Sequence, residues 1–228
     1  MHLSPVSVIL IVRNGERYIA DALDSVVQST VSPFEIVVVD DGSTDSTIAI
    51  AARYPLVRIV RREAGGIARA YNTGIAAARA DLLSFISYDD LWLPEKLELH
   101  LTYMADHPDV DLTVSHVQHF LAADTEVPPG FRPELLHEAV PGFVPEGIVV
   151  RRRVFDTVGG FDESFLAGED TDWFARVRDA GVRTTVLPQV LLRKRVHGSN
   201  AHLHADVNGH LLRTLRASVA RKRRIEQQ

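Results

Sequence analysis

Four short apolar runs rich in β-branched residues recur through the first 90 residues, and a helical pattern follows each of the first three. The runs cover residues 6–12, 34–39, 56–60 and 82–87, and the helical patterns cover 16–29, 44–53 and 66–79. Strands that alternate with helices in this way are typical of a parallel sheet with helices packed on both faces. The order therefore predicts an α/β fold with a mostly parallel central sheet.

The regular alternation ends near residue 90. Helical patterns then cover 94–106 and 169–180, strand-like runs cover 111–121 and 183–196, and residues 148–157 also look ordered. Prolines and glycines crowd residues 124–147, which predicts a long surface loop. A last helix is expected from about 205 to 224. We interpret the 228 residues as a single domain with a regular half (1–90), a less regular half (91–204) and a helical tail (205–228).

Composition and charge exclude several classes of protein. The net charge is −5 and does not favour binding to nucleic acid. The absence of cysteine rules out disulfides and thiolate metal sites. No apolar stretch approaches the roughly 20 residues of a membrane span, and the run at 6–12 is too short for a secretory signal. We expect a soluble cytoplasmic protein, with the basic run Arg221–Arg224 as a candidate peripheral contact with a membrane.

Polar clusters follow three of the four predicted strands. They are Arg13–Glu16, Asp40–Ser43 and Ser87–Asp90. One such cluster is ordinary turn chemistry, but ligands of open α/β sheets bind at the carboxyl ends of the strands, and three clusters there predict a site. Carboxylates without cysteine suit Mn²⁺ or Mg²⁺. Because the glycine-rich motifs GxxxxGK[ST] and GxGxxG are absent, a phosphate ligand is expected to be held through the metal ion.

Five segments together resemble the family 2 glycosyltransferases, from about residue 5 to residue 200. They read VSVILIVRNGERYIADALDSV, IVVVDDGSTDSTIAIA, FISYDDLWLPEKL, VGGFDESF and GEDTDWFARVRDAG. The resemblance implies the Rossmann-like GT-A fold, with a nucleotide-binding half (1–90) and a metal and acceptor half (91–204). It implies transfer of a sugar, with inversion, from a nucleotide-diphospho-sugar to an acceptor hydroxyl, with Mn²⁺ or Mg²⁺. The expected donor is a UDP-sugar.

The resemblance also implies a role for each site residue. Asp170 would be the catalytic base, Asp89 of the D-x-D motif and His197 would hold the metal ion, and Glu169 and Trp173 would lie on the acceptor side. Nucleotide contacts would come from Ile11, Val12, Arg13, Asn14, Glu16, Asp41, Arg69, Ser87 and Tyr88. The chemistry needs these types, since a base must take the acceptor proton and a cation must stabilise the departing diphosphate. We expect Asp40 to support its turn while Asp41 faces the nucleotide.

The chain departs from the family pattern at several positions. Ser87 replaces the first acid of D-x-D, Tyr71 stands where many members have arginine, and Ile11 to Arg13 replace the usual proline and tyrosine of the first loop. Two other functions therefore stay open. One is a non-catalytic protein that binds nucleotide-sugars or serves as a scaffold. The other is a nucleotidyltransferase, although the first loop, RNGE, lacks the GxGxR motif that such enzymes carry. The Asp170 carboxylate is also suited to capping a helix.

The acceptor and the oligomeric state are not specified by these residues. A glycan, a lipid-linked sugar, a small molecule and a peptide are all compatible acceptors. The predicted C-terminal helix is a candidate contact for a homodimer.

Overall fold

The computed structural model describes residues 4–123, 125–165 and 167–198, and these contain one mixed sheet with helices on both faces. The strands are β1 (Val6–Val12), β2 (Glu35–Asp40), β3 (Val57–Arg61), β4 (Leu82–Ser87), β5 (Leu91–Trp92), β6 (Leu112–Leu121), β7 (Val140–Pro141), β8 (Ile148–Arg151) and β9 (Thr184–Val196). The helices are α1 (Ile19–Val27), α2 (Thr47–Ala51), α3 (Ile67–Ala77), α4 (Lys96–Asp106), α5 (Arg153–Val158) and α6 (Glu169–Asp179).

The strand order across the sheet is β3-β2-β1-β4-β8-β6-β9-β5, and β7 pairs with β6. The four strands of the regular half are all parallel to one another, which confirms the predicted α/β arrangement. Beyond β4 the pairing becomes mixed. Strand β8 runs antiparallel to β4 and β6, β9 runs parallel to β6, and β5 runs antiparallel to β9.

Each face of the sheet has its own core, because successive side chains of a strand point to opposite faces. Leu10 of β1 packs in one core with Leu23 of α1 and Leu97 of α4. Its neighbour Ile9 packs in the other core with Ile75 of α3. Strands β1 and β2 are buried on both faces, which explains their nearly continuous apolar sequences.

Two local predictions need correction. Helix α2 starts at Thr47 and not near residue 44, because the backbone N–H groups of Thr44 and Ser46 donate to side chains of the first loop. The predicted surface loop 124–147 ends in a buried 3₁₀ turn at Pro145–Gly147. The predicted helix at 205–224 lies outside the described residues. Among the helices that are described, none is both long enough and apolar enough to cross a bilayer.

Gly74 lets α3 lie directly on the sheet. A Cβ atom at this position would lie 2.4 Å from Ile9 Cγ2 and 3.2 Å from Val39 Cγ2, both in the buried core. We expect Gly74→Ala to destabilise the fold by about 1–3 kcal/mol, because the overpacking outweighs the gain of about 1 kcal/mol in helix propensity.

Chemical denaturation of both variants checks this prediction, with Ala76→Gly on the exposed side of α3 as the control. The control should lose only the propensity difference of about 1 kcal/mol. A Gly74→Ala protein more stable than the parent would show that α3 does not depend on this close approach.

Candidate active site

The three polar clusters predicted from the sequence meet at one edge of the sheet. In the parallel ladders Val12 is paired with Asp40, and Ile11 is paired with Ser87. The loops after β1, β2 and β4 therefore leave the sheet side by side, above a pocket of about 690 Å³. Nine predicted site residues line this pocket: Ile11, Val12, Arg13, Asp41, Ser87, Tyr88, Asp89, Glu169 and Asp170.

The loop after β1 is fastened to the loop after β2 by reciprocal hydrogen bonds. The Asn14 backbone N–H donates to Ser43 Oγ (2.9 Å), and Asn14 Oδ1 accepts from the Thr44 N–H (2.8 Å). Glu16 Oε2 accepts from the Ser46 N–H at 3.0 Å. Asn14 has a φ of 52°, a left-handed conformation that asparagine tolerates better than most residues. Asn14 and Glu16, both predicted nucleotide contacts, thus hold the two loops together and do not belong to the wall of the large pocket.

The adjacent acids after β2 point to different partners, as expected. Asp40 Oδ1 accepts from the Ser43 N–H at 2.9 Å and supports the turn. Asp41 accepts from Arg62 Nη1 at 2.5 Å and from the backbone N–H groups of residues 65–66 at 3.0–3.2 Å. The Asp41 carboxylate therefore fixes the loop that leads into α3 while it lines the pocket.

Two residues of the predicted site lie elsewhere. Arg69, predicted as a nucleotide contact, is on the solvent side of α3, where its side chain is 59% exposed and 3.9 Å from Glu163. Trp173, predicted on the acceptor side, is fully buried, stacks on Phe155 with ring centroids 4.9 Å apart, and donates from Nε1 to the Gly159 carbonyl. Trp173 belongs to the core because α6 turns that face toward the sheet.

Glu169 and Asp170 occupy the first turn of α6 at the pocket wall. Burial and the neighbouring Asp170 charge raise the pKa of Glu169 to about 7. Burial also raises the pKa of Asp170, although its Oδ1 accepts from the Thr171 N–H at 2.6 Å. A carboxylate with a raised pKa is a stronger base than an exposed one, which is the property that the predicted role of Asp170 requires.

The floor of the pocket contains a buried carboxylate that sequence analysis missed. Glu146 lies in the buried 3₁₀ turn and is 5% exposed. Its Oε1 accepts from Ser87 Oγ (2.6 Å) and from the Tyr71 hydroxyl (2.7 Å). Its Oε2 accepts from Lys194 Nζ at 3.3 Å. Lys194 donates at 2.7 Å to Asp90 Oδ2 as well, so that one ammonium group holds two buried acids.

These contacts set the protonation of the cluster. Burial alone would raise the pKa of Glu146, but the Lys194 charge and the hydrogen bonds from Ser87 and Tyr71 hold it below its usual range. Burial raises the pKa of Asp90 to about 7, because Lys194 only partly offsets burial and the charges of Asp89 and Glu146. The ion pairs raise the pKa of Lys194 despite its burial. At neutral pH the floor therefore carries an ionised Glu146 and a charged Lys194.

Asp89 and His197, the predicted metal ligands, are in direct contact. His197 Nε2 lies 2.9 Å from Asp89 Oδ2, and the imidazole ring lies 5.2 Å from the Tyr18 ring. Asp89 lines the large pocket, whereas His197 lines an adjoining pocket of about 250 Å³ together with Asn14. Within the described ranges, no group of three His, Asp or Glu side chains is placed to cage a metal ion.

The sequence contains a signal for Lys194 but none for Glu146. Lys194 lies two residues from both Leu192 and Val196, which are fully buried, so strand alternation points the lysine inward. The position of Glu146 depends on a close approach between Gly147 and the carbonyl group of Gly142. A Cβ atom at Gly147 would lie only 2.1 Å from the Gly142 oxygen. That contact is visible only in the folded chain.

Glu169 makes the stability of the fold depend on pH. Its pKa is about 7 in the fold and near 4.5 in the unfolded chain, so the fold binds the proton more tightly and loses stability as pH rises from about 4.5 to 7. We expect Glu169→Gln to be roughly 1–3 kcal/mol more stable than the parent at pH 8 and nearly equal to it at pH 4.5. Urea denaturation at both pH values measures this difference.

Glu134→Gln, at an exposed position, is the control and should stay within about 0.5 kcal/mol of the parent at either pH. A difference between Glu169→Gln and the parent that does not change with pH would contradict the buried, high-pKa state of Glu169.

Comparison with known proteins identifies relatives of this chain. The model of the family described as Glycosyl transferase family 2 matches residues 7–159. An uncharacterized glycosyltransferase of Rickettsia typhi is 32% identical in an alignment of 209 positions that covers 84% of this chain and 64% of the relative. An uncharacterized protein of Mycobacterium bovis is 32% identical in an alignment of 210 positions that covers 85% of this chain and 60% of the relative. The chain thus spans less than two thirds of the length of these curated relatives.

Solved structures of S. aureus TarS share the fold. Residues 1–349 of TarS in complex with UDP-GlcNAc superpose with a TM-score of 0.76 at 20% identity, over 95% of this chain and 66% of that one. The complex with UDP gives a TM-score of 0.68 at 22% identity, over 84% of this chain and 60% of that one. This likeness confirms the predicted GT-A fold. Since the family model covers more than half of its residues, the chain belongs to glycosyl transferase family 2.

Proposed function

We propose that this protein transfers a sugar from a nucleotide-diphospho-sugar, in the first place a UDP-sugar, to a hydroxyl group of an acceptor, with inversion and with a divalent cation. The observation that carries the proposal is the composition of the large pocket. One cavity of about 690 Å³ joins the loops after three parallel strands to the acidic first turn of α6. Such a cavity has room for a nucleotide and a sugar between a nucleotide-side wall and a candidate base.

The nucleotide side is built from the first half of the chain. Ile11, Val12 and Arg13 lie at the end of β1, and Asp41 lies beside them, with its backbone N–H donating to the Val12 carbonyl at 2.9 Å. The Asp41 carboxylate is oriented by Arg62 and the loop before α3, and the N–H of a base would replace one of its present donors, such as the Gly65 N–H at 3.2 Å from Oδ2. That TarS is solved with UDP and UDP-GlcNAc supports uracil as the first base to try.

Asp170 is the proposed base. It lines the same pocket as the nucleotide loops and lies in the first turn of α6. Burial raises the pKa of its carboxyl group, which increases its tendency to take a proton from an acceptor hydroxyl as that oxygen attacks the anomeric carbon. Attack from the face opposite the departing diphosphate gives inversion.

Asp89 and His197 fit a divalent cation as part of its ligand shell. They offer one carboxylate and one imidazole, and Mg²⁺ and Mn²⁺ commonly take one or two protein carboxylates with substrate phosphates and water. A cation there would neutralise the charge that grows on the departing diphosphate. Because Asp89 and His197 supply only two ligands, the remaining ligands would come from the diphosphate and water.

The competing function is a protein that binds nucleotide-sugars without turnover. The observation that favours it is Ser87, which replaces a carboxylate in the D-x-D motif. Asp89 and Asp170, however, are both present and both line the pocket. Binding and turnover measurements on the same preparation separate the two functions.

Thermal unfolding with UDP, GDP, dTDP and their sugars, each with and without Mn²⁺, tests the donor site. A ligand at 100 times its Kd adds about 2.7 kcal/mol of stability, which is roughly 5–10 °C for a chain of this size. We expect the largest shift with a uridine nucleotide, and we expect Mn²⁺ to increase it in the parent but not in Asp89→Asn. Asp81→Asn, at the other end of β4, should respond to Mn²⁺ as the parent does.

Adenosine nucleotides serve as the ligand control in the same series. If none of the uridine, guanosine and thymidine ligands raised the melting temperature, the chain would lack a donor site and the proposed function would be wrong.

The role of Asp170 is tested by Asp170→Asn. We expect the variant to bind the donor like the parent and to release the nucleotide from the nucleotide-sugar roughly 10²–10⁴ times more slowly, because only the proton transfer is lost. Coupled detection of free UDP, with panels of glycan, lipid-linked, small-molecule and peptide acceptors, measures the rate.

The matched control is Asp156→Asn, which makes the same change in the first turn of α5 at an exposed position. It should leave both binding and rate unchanged. A nearly normal rate for Asp170→Asn would exclude this residue as the base.

A further inference from the structure

Glu146 is a buried acid of the pocket floor whose purpose the proposed chemistry does not explain. Its side chain is held at three points, by Ser87, Tyr71 and Lys194. The turn that carries it is itself buried and closely packed against Gly142. Burying an ionised carboxylate is costly unless it is paired and hydrogen-bonded, so the fold uses three partners to keep this charge at the pocket.

Two of these partners are the positions at which the chain departs from the family pattern. Ser87 stands where D-x-D begins with an acid, and Tyr71 stands where many members have arginine. Both hydroxyl groups donate to the same atom, Glu146 Oε1, at 2.6 and 2.7 Å. An acid and a cation of the family pattern are thus replaced by neutral donors, while a carboxylate (Glu146) and an ammonium group (Lys194) come from other segments of the chain.

One oxygen of Glu146 has capacity left for a ligand. A carboxylate oxygen accepts up to two hydrogen bonds, and Oε1 already accepts two. Among the described residues, Lys194 is the one side-chain donor to Oε2, at the long distance of 3.3 Å, and Glu146 lines the large pocket. Because Lys194 keeps the group ionised, Oε2 is a strong acceptor for an O–H donor that enters the pocket.

We propose that Glu146 is a donor-binding residue that replaces the carboxylate missing at position 87, and that its Oε2 accepts a hydrogen bond from a hydroxyl group of the bound sugar nucleotide. This inference rests on the proposed function. It gives the reason why Ser87 does not abolish the donor site, since the carboxylate is supplied from the turn at Pro145–Gly147 in place of the end of β4.

The proposal predicts that positions 87 and 146 hold one carboxylate between them. Ser87→Asp would place a second carboxylate against Glu146 Oε1, where repulsion forces one of the two acids to take up a proton or move. Glu146→Gln removes the carboxylate. The double variant Ser87→Asp/Glu146→Gln has one carboxylate again, with an amide in place of its former partner.

Titration calorimetry with UDP and UDP-GlcNAc in the presence of Mn²⁺ tests this, and GDP-mannose and dTDP-glucose are used if the parent prefers them. We expect Glu146→Gln and Ser87→Asp each to weaken binding roughly tenfold, as for the loss of one hydrogen bond to a charged group. The double variant should return to within about threefold of the parent. Weaker binding of UDP itself would place the hydroxyl on the ribose, and weakening confined to the nucleotide-sugar would place it on the transferred sugar.

Glu35→Gln is the matched control. Glu35 is also buried, accepts from a serine hydroxyl (Ser7, 2.8 Å) and is paired with a cation (Arg58, 3.0 Å), but it lies at the start of β2, away from the pocket. It should lose stability like Glu146→Gln without any change in affinity. If Glu146→Gln failed to fold, comparing the affinities of Ser87→Asp and the double variant would still test whether the two positions hold one carboxylate between them.

Three results would overturn the proposal. They are parent-like affinity in Glu146→Gln, parent-like affinity in Ser87→Asp, and a double variant whose loss is the product of the two single losses. A parent protein that bound no nucleotide-sugar would instead remove the proposed function and this inference together, so the two failures are distinguishable.

Discussion

The pocket depends on the ion pairs of Lys194. Its ammonium group contacts Asp90 and Glu146, and the charge of the nearby Asp89 also raises the pKa of the lysine. Asp90 follows β4, Glu146 lies in the turn before β8, and Lys194 is on β9, so the contacts join three segments that are distant in sequence. Removing one partner of a buried pair typically costs 3–5 kcal/mol, which makes this cluster a strong constraint on how the second half of the sheet assembles.

One lysine does not neutralise all the acids nearby, and the excess negative charge affects the rest of the site. It contributes to the raised pKa values of Asp90 and Glu169, and Glu146 contributes to that of Asp170. In the proposed reaction the pocket would receive a cation and take up a proton, and such an excess of negative charge would favour both. The same acids lower the stability of the fold at neutral pH. At Glu169 a negative charge would therefore serve the site but destabilises the fold.

Much of the fold follows from local sequence signals, because each is read within a few residues. Runs such as IVVVDDGS predicted the four parallel strands and the convergence of their polar ends, and short motifs pointed to Asp89 and Asp170 as candidate site residues. The errors arise where tertiary contacts decide. Helix α2 is short because its expected first turn bonds to Asn14 and Glu16. Sequence reasoning assigned Trp173 to the acceptor side by its motif position and Arg69 to the nucleotide as a substitute for an arginine at position 71, whereas α6 turns Trp173 into the core and α3 turns Arg69 toward solvent.

Glu146 shows why a motif is an incomplete description of a site. A motif fixes which residue types follow one another along the chain, but a ligand meets charges at positions in space. At the floor of this pocket Ser87 of β4 and Tyr71 of α3 contribute hydroxyl groups, and the carboxylate that accepts from both comes from the turn at Pro145–Gly147. The turn can pack there because Gly142 and Gly147 lie in close contact, and the ion pair with Lys194 keeps Glu146 ionised. An altered motif is therefore weak evidence for lost function until the atoms around the altered position have been identified.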